Sequence, residues 1–222
     1  MHSYQKHLGL RWAFLLGLTM AASSAQAAVV AIGPGAFGAG SSLITFGALT
    51  DGTEVNGLIT GGVAFGYSLG NGQLAISFGP GTTNNLQVPS IVSVGNNAGI
   101  LSLTLPNTVN AFGYGYAILT QNTSAAATTI NLFSGATNVG TLSYAGQLDP
   151  FFAGGFAGIQ STIPFNRVAL TFDAVNVPAF AVDNIRFSPV STNPIPEPSA
   201  GVLLLSGAFA LMLRKGLRKR TG

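Results

Sequence analysis

The stretch VNAFGYGYAIL, residues 109–119, alternates between large and small side chains. In an extended chain, Phe112, Tyr114, Tyr116 and Ile118 fall on one face, and Gly113, Gly115 and Ala117 on the other. This period of two marks a strand with one face in a core. The same texture continues on both sides. AVVAI (28–32), SLITF (42–46), GVAFGYS (62–68), QLAISF (73–78) and ILSLTL (100–105) come before it. TTINLFS (128–134), GTLSYA (140–145), NRVALTF (166–172) and AFAVDNIRF (179–187) come after it. All are short and rich in β-branched and aromatic residues. LGNGQ, FGPGTTNN, VGNNAG, LPNT and FSGATN read as the turns between strands. No apolar period of 3.6 residues runs long enough for a major helix. About ten strands at this spacing predict an all-β antiparallel β-sandwich of jelly-roll type over residues 28–190.

The two ends read differently. Residues 1–27 carry Lys6 and Arg11, then an apolar run from Trp12 to Met20, then the small-x-small signature of Ala25 and Ala27. This is the three-part pattern of a secretory signal peptide, predicting a signal helix removed by signal peptidase between Ala27 and Ala28. At the other end, STNPIPEPS (191–199) is a proline-rich linker. Residues 200–222 hold an apolar run from Ala200 to Leu213, shorter than the roughly 20 residues of a comfortable membrane span. Arg214, Lys215, Arg218, Lys219 and Arg220 follow, a cluster that stays on the cytoplasmic side. A short transmembrane helix of this kind holds a chain in the inner membrane while something else acts on it.

Pro196-Glu197-Pro198, a short apolar helix and a terminal basic cluster, paired with a signal peptide, resemble the PEP-CTERM sorting signal of Gram-negative bacteria. The resemblance implies that the membrane protease exosortase recognises Pro196, Glu197 and Pro198 and removes the tail. It also implies an exported protein, transiently anchored and then placed at the cell surface or in an extracellular matrix of exopolysaccharide and biofilm. The order of segments in the body is similar to that of other secreted β-domains with this tail. AFAVDNIRF is similar to the final strand of jelly-roll carbohydrate-binding modules.

Removing the ends changes the chemistry. The whole chain is formally +3, yet residues 28–195 hold two basic residues, Arg167 and Arg186, against five acids, Asp51, Glu54, Asp149, Asp173 and Asp183, a net −3. Basicity therefore belongs to the targeting ends, and nothing favours a nucleic-acid partner. The body has no His, Lys, Trp, Met or Cys. Ser-His-Asp and Cys-His nucleophile systems and Schiff-base lysines are thereby excluded, and most zinc and copper sites with them. So few charges leave little repulsion between copies, which favours self-association.

The remaining motifs are weak. GPGAFG (33–38) fits a dinucleotide fingerprint, but strand and turn follow it rather than a helix, so it reads as a glycine loop. Asp51-Gly52-Thr53-Glu54 reads as a turn before it reads as a catalytic pair. Asn122-Thr123-Ser124 also reads as a turn. Tyr67, Tyr114, Tyr116 and Tyr144 read as core with hydroxyls at the rim rather than as a sugar-stacking platform. Asp183 lies inside a strand, where Asp is unfavourable, so it reads as a bulge or a capped edge position. Likeness to carbohydrate-binding jelly rolls implies a structural calcium ligand there, joined by Asp51 or Glu54. No cofactor is otherwise expected. The function read from these features is a non-catalytic surface or matrix protein that associates with exopolysaccharide. A carboxylate-dependent polysaccharide hydrolase is the second reading. An ice-binding or purely self-associating protein is the third, and TTINLFS alone does not supply the regular Thr face that ice binding needs.

Overall fold

The computed structural model describes residues 28–83, 85–94, 98–149, 151–173 and 179–189. The signal segment, the linker with its Pro-Glu-Pro motif, and the tail with its basic cluster lie outside the described residues, and so do both expected flanking helices. Among the described residues no helix is long and apolar enough to cross a membrane.

The alternation at residues 112–118 belongs to a strand longer than the sequence suggests. It forms the second half of β7 (Leu101–Ile118), and the first half is the ILSLTL segment. β7 pairs antiparallel with β10 (Ala153–Phe172), from Ala153 opposite Ile118 to Leu170 opposite Leu101. The pairing slips on both sides of Phe165. There, Pro106, Asn107 and Thr108 of β7 are exposed. LPNT, expected as a turn, is therefore an irregularity at which two continuous strands pass from one part of the sheet to the other. A bulge of this kind bends the strand without ending it.

The break divides one antiparallel sheet, of eleven strands among the described residues, into two wings. In the first wing, β3 (Ile59–Thr60), β4 (Val63–Tyr67), residues 101–105 of β7, residues 167–172 of β10, β8 (Ser124–Ser134) and β9 (Thr137–Leu148) follow in that order. In the second, β5 (Leu74–Ser77), β6 (Ser90–Ser93), β11 (Phe180–Pro189), residues 109–118 of β7, residues 153–161 of β10 and β1 (Val29–Ala31) follow one another. β2 (Ser42–Ile44) extends this wing along the last part of β11.

One core lies between the wings. Phe65, Leu101, Leu103, Ile130, Leu132, Val168 and Leu170 from the first meet Phe112, Tyr114, Tyr116, Ile118, Phe180 and Val182 from the second. This is the layered arrangement of a β-sandwich. The tyrosines are core residues, as their spacing indicated. Tyr114 and Tyr116 are buried, with hydroxyls on Thr128 and on the Ala145 carbonyl at 2.7 Å. Burial pushes the Tyr116 phenol up to about 12 and raises that of Tyr114 further. Tyr144 donates to the Gly158 carbonyl.

Candidate functional site

β11 carries Asp183, the acid that lies inside a strand. Phe180 and Val182 point into the core, so Ala181 and Asp183 point to the outer side of the second wing. Asp183 faces Gly115, and Arg186 faces Gly113. Three steps on β11 therefore match two on β7, which is a bulge. Asn184 supplies it with a left-handed backbone, φ 50°. The extra residue returns Arg186 to the outer side beside Asp183.

The glycines that alternate with the core aromatics gain a purpose here. A Cβ on Gly115 would lie 2.2 Å from the Asn85 carbonyl oxygen, and one on Gly113 would lie 2.6 Å from the Phe156 ring. The glycine side of β7 is thus a trough. The segment around Asn85 and the Phe156 ring lie in it. Asn184 donates from Nδ2 to the Asn85 carbonyl at 2.7 Å, and the Gln87 N–H donates to Asp183 Oδ2 at 3.0 Å. Thr83 donates its hydroxyl to the Asp149 carbonyl.

A cleft of about 560 Å³ opens on this outer side, with Thr45, Asn85, Gln87, Phe156, Asn184 and Arg186 on its walls. Its chemistry is hydroxyl, amide, one aromatic plane, one guanidinium and the aliphatic surface of Pro34, Leu43 and Leu86. Phe156 is braced edge-on by Phe37, with ring centroids 6.0 Å apart. Asp149 is the one carboxylate on the lining. Asp183 lies under the Asn85–Gln87 cover and is 1% exposed. Its Oδ1 and the Arg186 Nε are buried without a hydrogen-bond partner among the described residues. Burial pushes the Asp183 carboxyl up to about 6, against the opposing pull of the Asn184 and Gln87 N–H groups.

The other expected site residues lie apart from it. Asp51 is exposed in a turn. Glu54 accepts the Asn56 N–H at 3.2 Å and the Gly72 N–H at 2.6 Å, so its carboxylate is a loop clamp. Glu54 bridges to Ala75 on β5, and β6 separates β5 from β11. Three strand spacings, about 14 Å, therefore lie between Glu54 and β11. The three acids expected around calcium are not gathered. Among the described residues no three His, Cys, Asp or Glu side chains stand together as a metal site. Asp173 accepts the Ser124 hydroxyl at 3.0 Å. Residues Pro34–Ala36 of GPGAFG form one 3-10 turn, with β2 after it, so no helix N-terminus awaits a phosphate. Nothing in the sequence marks the cleft. FGPGTTNN, FFAGGFAGIQ and the DNI bulge build it, and no spacing in the sequence joins them.

No family model matches the chain, and no curated protein matches it. Solved structures with similarity include a family 29 carbohydrate-binding module at 11% identity, covering 70% of this chain and 96% of that one, with a TM-score of 0.36. A low-affinity xylan-binding module of family 86 from Roseburia intestinalis is 14% identical over 57% of this chain and 94% of its own, with a TM-score of 0.32. The catalytic domain of a family 87 α-1,3-glucanase, in complex with nigerose, is 12% identical over 73% of this chain and 31% of its own, with a TM-score of 0.38. At this level of likeness the site must be read from its own residues.

Proposed function

We propose that this chain is an exported, non-catalytic surface or matrix protein whose β-domain, read as a jelly-roll-like sandwich, associates with exopolysaccharide. The observation that carries the binding role is the cleft. Its lining of hydroxyls, amides, one guanidinium and the braced Phe156 ring matches a polyhydroxylated ligand, which needs donors and acceptors beside an apolar plane. The export role rests on the paired end signals. Signal peptidase cuts after Ala27, and exosortase acts at Pro196-Glu197-Pro198 while the short helix and basic cluster hold the chain in the inner membrane. β1 begins directly after the first cut.

A carboxylate-dependent hydrolase is favoured by one observation, a carboxyl of raised pKa below a cleft that Asp149 lines. Access weighs against it, since Asp183 is covered and already accepts the Gln87 N–H. The calcium expectation narrows to Asp183 alone, whose Oδ1 is a hard oxygen without a hydrogen-bond partner among the described residues.

Two measurements on full chain expressed in the producing cells test this reading. Intact mass of the released protein should correspond to a start at Ala28 and loss of Arg214–Arg220. A released product that keeps its basic tail overturns the sorting role. Phe156→Ala should weaken retention on the producer's exopolysaccharide about tenfold. Retention unchanged by that substitution removes the cleft from the account.

A further inference from the structure

We propose that Asn71-Gly72 is a self-modifying site, at which the chain converts its own Asn71 to aspartate or isoaspartate with loss of ammonia.

Asn71 and Gly72 lie in the exposed turn between β4 and β5. Glu54 and Asn56 hold this turn from one side. The Gly72 N–H donates to Glu54 Oε2 at 2.6 Å, and the other carboxylate oxygen accepts the Asn56 N–H at 3.2 Å. The Tyr67 N–H donates to Asn56 Oδ1 at 2.8 Å. That bond fixes which way the Asn56 amide points, so Nδ2 is the atom that faces Asn71. It donates to Asn71 Oδ1 at 2.6 Å. The side-chain carbonyl of Asn71 therefore has a donor on its oxygen, and the backbone nitrogen that follows has a carboxylate on its proton.

These are the parts of an acyl transfer. The Gly72 nitrogen is the nucleophile and the Asn71 side-chain carbon is the electrophile, and the bond between them closes a five-membered ring. The peptide group is planar, with its N–H in that plane. Attack uses the nitrogen lone pair, perpendicular to the plane, so Glu54 can take the proton without standing in the way. A general base must lie about 2.6–3.2 Å from the atom that it deprotonates, and Glu54 does. Charge builds on Asn71 Oδ1 as the ring closes, where Asn56 Nδ2 already donates. Glu54 then passes the proton to Asn71 Nδ2, the bond from that nitrogen to the side-chain carbon breaks, and ammonia leaves to solvent. The ring is a succinimide. Water opens it at either carbonyl, giving aspartate or isoaspartate, and no other reactant is needed.

The same dipeptide occurs a second time, at Asn56-Gly57. There the Gly57 N–H donates to the Phe65 carbonyl at 2.9 Å, which is no base, and the Asn56 amide is held between Tyr67 and Asn71. One Asn-Gly pair is thus set up to react and the other is locked. Reaction at Asn71 sets a second carboxylate against Glu54, and the isoaspartate form also adds a carbon to the main chain before Gly72. Both loosen the tie between this turn and residues 54–56, so the domain becomes more negative and loses that tie with age.

The test is a time course of the folded full chain at neutral pH, beside the same chain unfolded in guanidinium chloride. Peptides are mapped by mass for OH in place of NH₂ and assayed for isoaspartate. Unfolded, the two sites should convert at similar rates. Folded, Asn71 should convert about tenfold faster than it does unfolded, while Asn56 should fall at least about tenfold below its own unfolded rate. Glu54→Gln keeps an acceptor oxygen but is no base, and it should slow Asn71 about a hundredfold. If that variant does not fold, the wild-type comparison decides alone. Asn71 converting no faster folded than unfolded overturns the site, and so does an Asn56 that keeps pace with it in the folded chain. An unchanged Asn71 rate in folded Glu54→Gln removes the base and the proposal with it. The polysaccharide role stands or falls separately, because the cleft shares no residue with this turn.

Discussion

Replacing Asp183 by asparagine tests whether a charge is held beneath the cleft. The carboxyl is 1% exposed, Oδ2 accepts the Gln87 N–H, and Oδ1 has no hydrogen-bond partner among the described residues. Burial raises its pKa from 3.8 to about 6. A carboxyl that titrates higher in the folded chain than in the unfolded one binds its proton more tightly when folded. Its contribution to stability is therefore most favourable below pH 3.8, declines as pH rises through the window to about 6, and is level above it. A shift of this size corresponds to about 3 kcal/mol lost across the window. The asparagine variant carries no charge at this position, so that decline should vanish. Its amide can keep the Gln87 contact but sets an NH₂ where Oδ1 lay, which costs about 1–3 kcal/mol at every pH if it stays unpaired. Urea unfolding of wild type and Asp183→Asn from pH 4 to 8 gives two stability curves. Their difference should move in favour of the variant by about 2 kcal/mol between pH 4 and 6 and level off above about pH 7. A difference that does not vary with pH refutes the buried charge. Repeating the melts with calcium and with chelator examines Oδ1 as an ion ligand. Wild type should gain stability with calcium and the variant should not. Identical melts of the wild type remove calcium from the account.

Three further outcomes follow from the packing. Gly115→Ala places a methyl 2.2 Å from the Asn85 carbonyl, so it should cost about 1–3 kcal/mol in denaturant unfolding and speed proteolysis near Asn85. Tyr116→Phe removes the donor to the Ala145 carbonyl and should cost about 1 kcal/mol in the same assay. Gly135→Ala, at the two-residue turn between β8 and β9 where φ is 61°, should lower the thermal midpoint, with a loss of about 1 kcal/mol; no loss would mean that the turn can be rebuilt.

The alternation at residues 112–118 makes the strand and its core face legible, because a period of two in large apolar side chains has one geometric meaning. The tyrosines and the glycine loop at residues 33–38 are legible for similar local reasons. Other features are decided by pairing. Pro106-Asn107-Thr108 has turn composition, yet β10 holds both flanks of it in one strand. The first half of β10, AGGFAGIQ, is short of β-branched residues and is a strand because β7 lies beside it. β6 and β3 escape a reading of the sequence because four- and two-residue strands carry too little pattern. Asp183 stands out in the sequence as misplaced in a strand, and it is indeed buried at a bulge. Its neighbours cannot be read from the chain, since Asn85 and Gln87 are about a hundred residues away and meet it only through the glycine trough.

Co-sedimentation of the released protein with the producer's own exopolysaccharide, with reducing ends measured in the same tubes, tests the central claim most directly. The expected result is saturable retention, with no rise in reducing ends over that of polysaccharide alone. Release of shorter sugars that Asp149→Asn or Asp183→Asn abolishes would contradict it in favour of a hydrolase, and absence of retention would contradict the binding role outright.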